Sequence, residues 1–259
     1  MTTPPQAPNS VAGRVVIVTG AARGLGRDYA RMFARDGAKV ALADVNSDAV
    51  SAAGRDLAAE VPGCDVVAVT VDVTDAESIG AMVAGVVEKW GTVDVLVNNA
   101  GIWGDLEPAP LSATKPSYFD FVMSVNLRGP LLCTQAVLEP MKKQGWGRII
   151  NISSMGAYMP SGVYGVSKLG LNQMTYTMAT ELGSSGITVN AVAPGPIDNE
   201  ATRGQLPEAA FQKMIAGTAM KRMGTSQDLY GMIRYLATTE ADWVTGQTFS
   251  VNGGYNSRL

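Results

Sequence analysis

Histidine is absent from all 259 residues. That absence removes Ser-His-Asp hydrolysis, histidine general bases and histidine-ligated zinc, and leaves Tyr, Lys, Asp, Glu, Cys or water to move any proton. Cysteine is nearly absent too. Cys64 and Cys133 stand far apart, in neither a CxxC nor a metal-ligand spacing, and read as two reduced, buried thiols; no metal site is expected. No run approaches the roughly 18 uninterrupted apolar residues of a membrane span. Residues 1–10 are polar and Pro-rich, lack the apolar stretch of a signal peptide, and read as a disordered tail on a cytoplasmic protein. Blocks of like charge are missing, and a net charge of -3 gives no basic face. Neither nucleic acid nor a membrane is therefore an expected partner.

What is present is an alternation of short β-branched runs and longer Ala-rich stretches. Strands are predicted at Val15–Val18, Val40–Ala43, Val66–Val71, Val93–Val97, Arg148–Ile152, Ile187–Val192 and Gln247–Val251. The early runs are almost continuously apolar, as strands covered on both faces are. Helical patterns fall between them, at Arg27–Asp36, Ala76–Lys89, Tyr118–Val137 and Tyr164–Leu182. Gly37 and Gly91 mark helix ends, and Thr74 with Glu77 predicts a capping box. This order calls for an α/β fold: one doubly wound parallel sheet over 11–259, with helices on both faces. The irregular region after Pro194 predicts a substrate loop over about 195–222.

The first strand runs into Thr19-Gly20-Ala21-Ala22-Arg23-Gly24-Leu25-Gly26, which opens a helix. Glycines there permit a tight turn and let backbone N–H groups approach a diphosphate at the helix N-terminus. The spacing is G-x-x-x-G-x-G, and a structural turn is the plainer reading of a glycine triplet alone. Asp44, at the end of the second strand, stands where a carboxylate would accept the adenosine ribose hydroxyls and repel a 2′-phosphate. Val45 and Asn46 bring no compensating cation, and Arg23 is the one residue that favours a phosphate. NAD is expected rather than NADP. Asp72-Val73 after the third strand is either an adenine contact or a cap for the next helix.

Tyr164 and Lys168 lie at i and i+4, on one face of a helix. An ammonium beside the phenol, together with a positively charged nicotinamide, would lower the tyrosine pKa toward neutrality and make it a usable acid/base. Such a pair is by itself commonly a surface contact.

Six motifs occur in order: Gly20-x-x-x-Gly24-x-Gly26, Asn98-Asn99-Ala100-Gly101, Asn126, Asn151-Ile152-Ser153-Ser154, Tyr164-x-x-x-Lys168 and Pro194-Gly195. Together they resemble the short-chain dehydrogenase/reductase superfamily, with its Rossmann-type sheet, from about Gly13 to Tyr255. The resemblance implies reversible hydride transfer between a nicotinamide and a carbinol carbon. It makes Tyr164 the general acid/base and Ser154, rather than Ser153, the donor to the substrate oxygen. Lys168 tunes Tyr164 and holds the nicotinamide ribose, while Asn126 supports a water in a proton relay. It also puts Asn99, Ala100 and Gly101 along the cofactor cleft, with Pro194, Gly195 and Ile197 near the carboxamide. Two departures stand out. Ser154 and Tyr164 are only ten positions apart, shorter than is usual in the family, and Asn199 stands where the family often has Thr.

The substrate is expected to be a small-molecule secondary alcohol or ketone, hydrophobic or cyclic, from the pocket candidates Trp103, Met155, Tyr158, Met159, Met214 and Met220. Arg203, Lys213 and Lys221 keep open a second reading, an NADPH-dependent 3-oxoacyl thioester reductase, and a third is a non-catalytic cofactor-binding scaffold. A homo-oligomer, tetramer or dimer, is implied by the resemblance.

Overall fold

The computed structural model describes residues 10–103, 110–199, 202–203 and 207–255. Of the expected tail only Ser10 falls among the described residues, and the 195–222 loop is described in part. Seven parallel strands form one sheet in the order β3-β2-β1-β4-β5-β6-β7. They are β1 (Val15–Thr19), β2 (Lys39–Asp44), β3 (Val66–Thr70), β4 (Val95–Asn98), β5 (Gly147–Ile152), β6 (Ile187–Pro194) and β7 (Thr248–Val251). The expected doubly wound sheet is thus found, with each predicted strand displaced by at most two residues at either end.

Alternate residues explain why these runs are apolar on both faces. Val16 and Val18 face α1 (Gly24–Arg35), α2 (Ser47–Glu60) and the late helix Ser226–Leu236, where Phe33, Leu57 and Ile233 complete one core layer. Val15 and Ile17 face α3 (Ala76–Trp90), the helix Gly129–Gln144 and the helix Gly162–Leu182, with Val86, Val137 and Leu182 in the second layer. Both layers exclude water, which is the main stabilising term of such a fold. Chain order reverses between β1 and β4, since β1 pairs with both β2 and β4. A crevice at the carboxyl ends of the strands follows from that reversal.

Several local expectations are revised. The first helix begins at Gly24 rather than Arg27, so the glycine motif is itself the helix start. The Tyr118–Val137 stretch is α4 (Pro116–Met123), a π-turn (Ser124–Arg128) and α5 (Gly129–Gln144) in succession. Thr74 does not cap α3. Asp75 is the N-cap and accepts the Glu77 N–H at 3.1 Å, while Thr74 Oγ1 donates to Asp72. A carboxylate is the stronger acceptor, and it shifts the helix start by one residue. Among the described residues follow α6 (Gly162–Leu182), α7 (Glu208–Gly217) and α8 (Ser226–Leu236), the last with a full capping box between Thr225 and Asp228.

By length and mean hydropathy Pro116–Gln144 is long and apolar enough to cross a membrane. It carries Asp120, Arg128, Glu139, Lys142 and Lys143, and its Val122, Val137 and Met141 are buried in the core of the fold. At the amino-terminal ends of the strands, the Trp146 ring lies between two guanidiniums, Arg14 at 3.8 Å and Arg148 at 4.1 Å. Arg148 is buried, donates to Thr238 O and pairs with Asp242. This cluster ties the chain after α8 to β5, on the side of the sheet away from the crevice.

Candidate active site

Where β1 ends, backbone geometry accounts for the glycines. A Cβ on Gly26 would lie 2.2 Å from Gly20 O and 2.5 Å from Asn99 Nδ2, so the turn closes only around a bare Cα. Gly24 has φ +57 and open space where its Cβ would be. Arg23, the N-cap of α1, is exposed and supplies no side-chain cap. The first N–H groups of α1 thus lack the usual side-chain acceptor and flank open space, which is how a helix N-terminus receives a phosphate group. These residues fit the diphosphate of a dinucleotide.

Asp44 ends β2 and reaches the same turn: its Oδ2 accepts the Ala22 N–H and its Oδ1 the Asn46 N–H, both at 3.0 Å. Each oxygen retains acceptor capacity for ribose hydroxyls. The Asn98–Gly101 turn is bound to the glycine turn by a residue that the motif reading passed over, Thr19. Its Oγ1 accepts the N–H groups of Asn99 and Ala100 at 3.0 Å, and Asn99 Nδ2 donates to Thr19 O and Gly20 O. Position was the available signal, since Thr19 directly precedes the first glycine. Asp72 is exposed, and its Oδ1 accepts Thr74 N–H at 2.8 Å and so holds the turn before α3. Val73 is buried against Gly129.

The catalytic candidates converge on one cavity of about 330 Å³, lined by Ser154, Tyr164 and Lys168 among others. Ser154 Oγ accepts the Gly156 N–H at 3.0 Å and hydrogen-bonds Tyr164 in the sense that favours phenolate. Lys168, buried, donates from Nζ to Ile152 O at 2.8 Å, and its Nζ lies 5.9 Å from the centre of the Tyr164 ring. The expected depression of the tyrosine is not reached by the chain alone. Burial pushes Tyr164 up to about 12 and outweighs Ser154, and burial lowers Lys168 to about 8. Taking either charge out of water costs more than these partners return, so a phenolate requires further positive charge beside it.

Asn126 occupies the π-turn and is fully buried. Its Oδ1 accepts Ile102 N–H at 2.7 Å, and its Nδ2 donates to Ile102 O and to Ser167 Oγ, both at 3.1 Å. The side chain thus braces the loop after β4 against α6, with both amide hydrogens engaged and one lone pair of Oδ1 left to accept.

Gly101, Asn99, Leu25, Pro194, Gly195 and Ile197 line the cavity as the motifs implied. Asn199 lines it too, but its Oδ1 accepts both the N–H and the hydroxyl of Thr202, leaving only its amide hydrogens for a ligand. Trp103, Met155, Met159 and Met214 form apolar walls. Tyr158 does not. The 3-10 turn Met155–Tyr158 carries it to the outer side of α6, where its hydroxyl accepts from Asn172 Nδ2. Met220 is exposed at 63% and is not part of the lining. Residues that the motifs did not single out, Gly156, Pro160, Ser161, Pro196 and Thr202, also line it. Only their placement in loops flanking Tyr164 and Pro194 hinted at it.

Of the cations weighed for an acyl carrier, Arg203 makes a two-pronged pair with Asp198 at 2.5 and 2.6 Å, and Lys221 donates to Ala216 O.

Comparison with known proteins places this geometry. The sequence model of a family described as enoyl-(acyl carrier protein) reductase matches residues 20–256. An uncharacterised oxidoreductase of Mycobacterium tuberculosis is 44% identical over 241 residues, covering 93% of this chain and 96% of that one. A 3-oxoacyl-[acyl-carrier-protein] reductase of Thermotoga maritima is 39% identical over 245 residues, covering 93% and 97%. Among solved structures, levodione reductase superposes with a TM-score of 0.87 at 32% identity, covering 94% of this chain and 97% of its own. The sheet, the ordered motifs and these relatives agree: the chain belongs to the short-chain dehydrogenase/reductase superfamily of NAD(P)-binding oxidoreductases.

Proposed function

We propose that the protein is an NAD(H)-dependent dehydrogenase/reductase acting on an uncharged, largely hydrophobic secondary alcohol or its ketone. The observation that carries this reading is the cavity wall. Among the described residues, no ionisable side chain apart from Tyr164 and Lys168 lines it, and Trp103, Met155, Met159 and Met214 supply apolar surface. A charged substrate would have to shed its water there without a partner.

The bound nicotinamide supplies the hydride acceptor or donor. The chain's own residues do the rest. Ser154 donates a hydrogen bond to the substrate oxygen, Tyr164 takes or returns the hydroxyl proton, and Lys168 holds positive charge beside it. Asp44 at the end of β2 supports NAD over NADP, because a 2′-phosphate would face a carboxylate already anchored to the glycine turn.

The second reading, a 3-oxoacyl thioester reductase using NADPH, is favoured by the family description and the Thermotoga relative. Arg23 in the glycine turn also favours a phosphate, but against this reading Arg203 and Lys221 are engaged internally. Kinetics with NAD and NADP over a panel of secondary alcohols, ketones and a 3-oxoacyl thioester separate the two. Preference for NADPH with the thioester would replace the first reading by the second. NADH binding without turnover of any panel member would favour a scaffold.

The two cysteines are unpaired, in keeping with a reducing cytoplasm. Exposed Phe121, Leu169 and Tyr176 on α4 and α6 support a homo-oligomer, tetramer or dimer.

A further inference from the structure

Ser161 stands at the N-cap of α6 but does not cap it. A serine at that place normally accepts an N–H of the first turn. Here its Oγ points backward and donates to Gly156 O at 2.5 Å, with Met159 O at 3.1 Å. The residue it grips is hydrogen-bonded to Ser154 and leaves no room for a side chain against Tyr164. The Gly156 N–H is the donor to Ser154 Oγ, and a Cβ on Gly156 would lie 3.0 Å from Tyr164 Cε1. The space is made from the helix side by Gly165, whose Cβ would fall 2.5 Å from Ser161 Oγ and 2.7 Å from Gly156 O. One hydroxyl thus closes the short Met155–Val163 segment into a clip.

We propose that Ser161 is a positioning residue: by holding the Gly156 carbonyl it seats the Gly156 N–H on Ser154 and the Gly156 Cα on the Tyr164 ring, and so aims the Ser154 proton into the cavity. An oxygen that accepts the Gly156 N–H keeps its own O–H to give, and Tyr164 and the cavity that Ser154 lines are there to receive it. The short segment between Ser154 and Tyr164 is then a preset wall with no slack to adapt around substrate. This inference rests on the proposed roles of Ser154 and Tyr164.

The test uses Ser161→Ala, Ser161→Thr and Tyr164→Phe, assayed with NAD and whichever of 2-butanol, cyclohexanol and 1-phenylethanol the wild type oxidises fastest. Amide exchange at Gly156 is measured in parallel on the cofactor-free protein. Ser161→Ala should lower kcat about ten-fold, as expected for a misplaced reacting group, with the KM for NAD unchanged and faster exchange at Gly156. Ser161→Thr keeps the hydroxyl and should stay within about two-fold of wild type in kcat. Wild-type kcat in Ser161→Ala overturns the proposal, and so does unchanged exchange at Gly156. A threonine variant as slow as the alanine one, with Gly156 still protected, overturns it too. Full turnover in Tyr164→Phe would instead sink the catalytic reading, and the exchange data would still report on the clip.

Discussion

At the scale of single residues the site depends on two groups that burial works against. Tyr164 is raised to about 12 and Lys168 lowered to about 8 in the chain alone. Tyr164→Phe removes only the hydroxyl and should abolish turnover while leaving NADH affinity within about two-fold, read by fluorescence titration. Because oxidation needs the phenolate and reduction the phenol, alcohol oxidation should rise with pH through the alkaline range. Ketone reduction should instead fall, so paired pH-rate profiles must cross. Lys168 adds a stability signature. Between about 8 and its usual 10.5 the unfolded chain holds a proton that the folded chain has released. Its contribution to stability therefore rises with pH through that window and is least favourable at neutral pH, where a charged ammonium is buried. Lys168→Met relieves roughly 3 kcal/mol of that cost and forfeits about 1 kcal/mol with the bond to Ile152 O. The variant should melt above wild type at pH 7, and the gap should shrink by pH 9.5 while activity is lost. Cys133, raised to about 12 by burial, pulls the other way in both proteins and cancels in the difference. A gap independent of pH would refute the account.

At the scale of elements, what could be read from the sequence was whatever repeats locally. Strands showed as apolar runs, and Tyr164 with Lys168 shared a helix face because i,i+4 spacing guarantees it. The glycine motif was legible for the same reason, although the helix start at Gly24 was not, since only the folded turn shows Gly26 packed onto Gly20 O. Two variants separate these roles. Gly26→Ala forces backbone apart and should cost stability and NADH affinity together. Gly24→Ala meets nothing within 4 Å and should cost only about 1–2 kcal/mol of left-handed strain, by thermal melts. What could not be read depended on contacts between elements. Tyr158 looked like a pocket residue until the Met155–Tyr158 turn carried it outward, and the bracing of Asn126 against Ile102 and Ser167 has no signature in a lone helical Asn. Thr74 was the expected cap of α3, and its neighbour Asp75 took that place once its carboxylate accepted the Glu77 N–H.

At the scale of the whole molecule, the exposed apolar residues of α4 and α6 should be covered by a second copy. Gel filtration should give an apparent mass of two or four times 27.1 kDa. Leu169→Glu with Tyr176→Glu should reduce it, and a wild-type monomer at micromolar concentration would remove this expectation. The far end of the sheet carries its own load: Arg148→Ala removes a buried side chain that packs on Trp146 and donates to Thr238 O, and should lower stability by about 2 kcal/mol without touching the cavity. The placement of Gly195 has a consequence in time. A Cβ there would lie 2.5 Å from the Cα of Asn252, so the wall formed by Pro194–Ile197 leans on the residue just after β7. Chains emerge from the ribosome in sequence order. The glycine turn, Asp44 and the Asn99 turn are all synthesised long before that buttress exists. A nascent chain should thus be able to hold a nucleotide well before it can turn over a substrate.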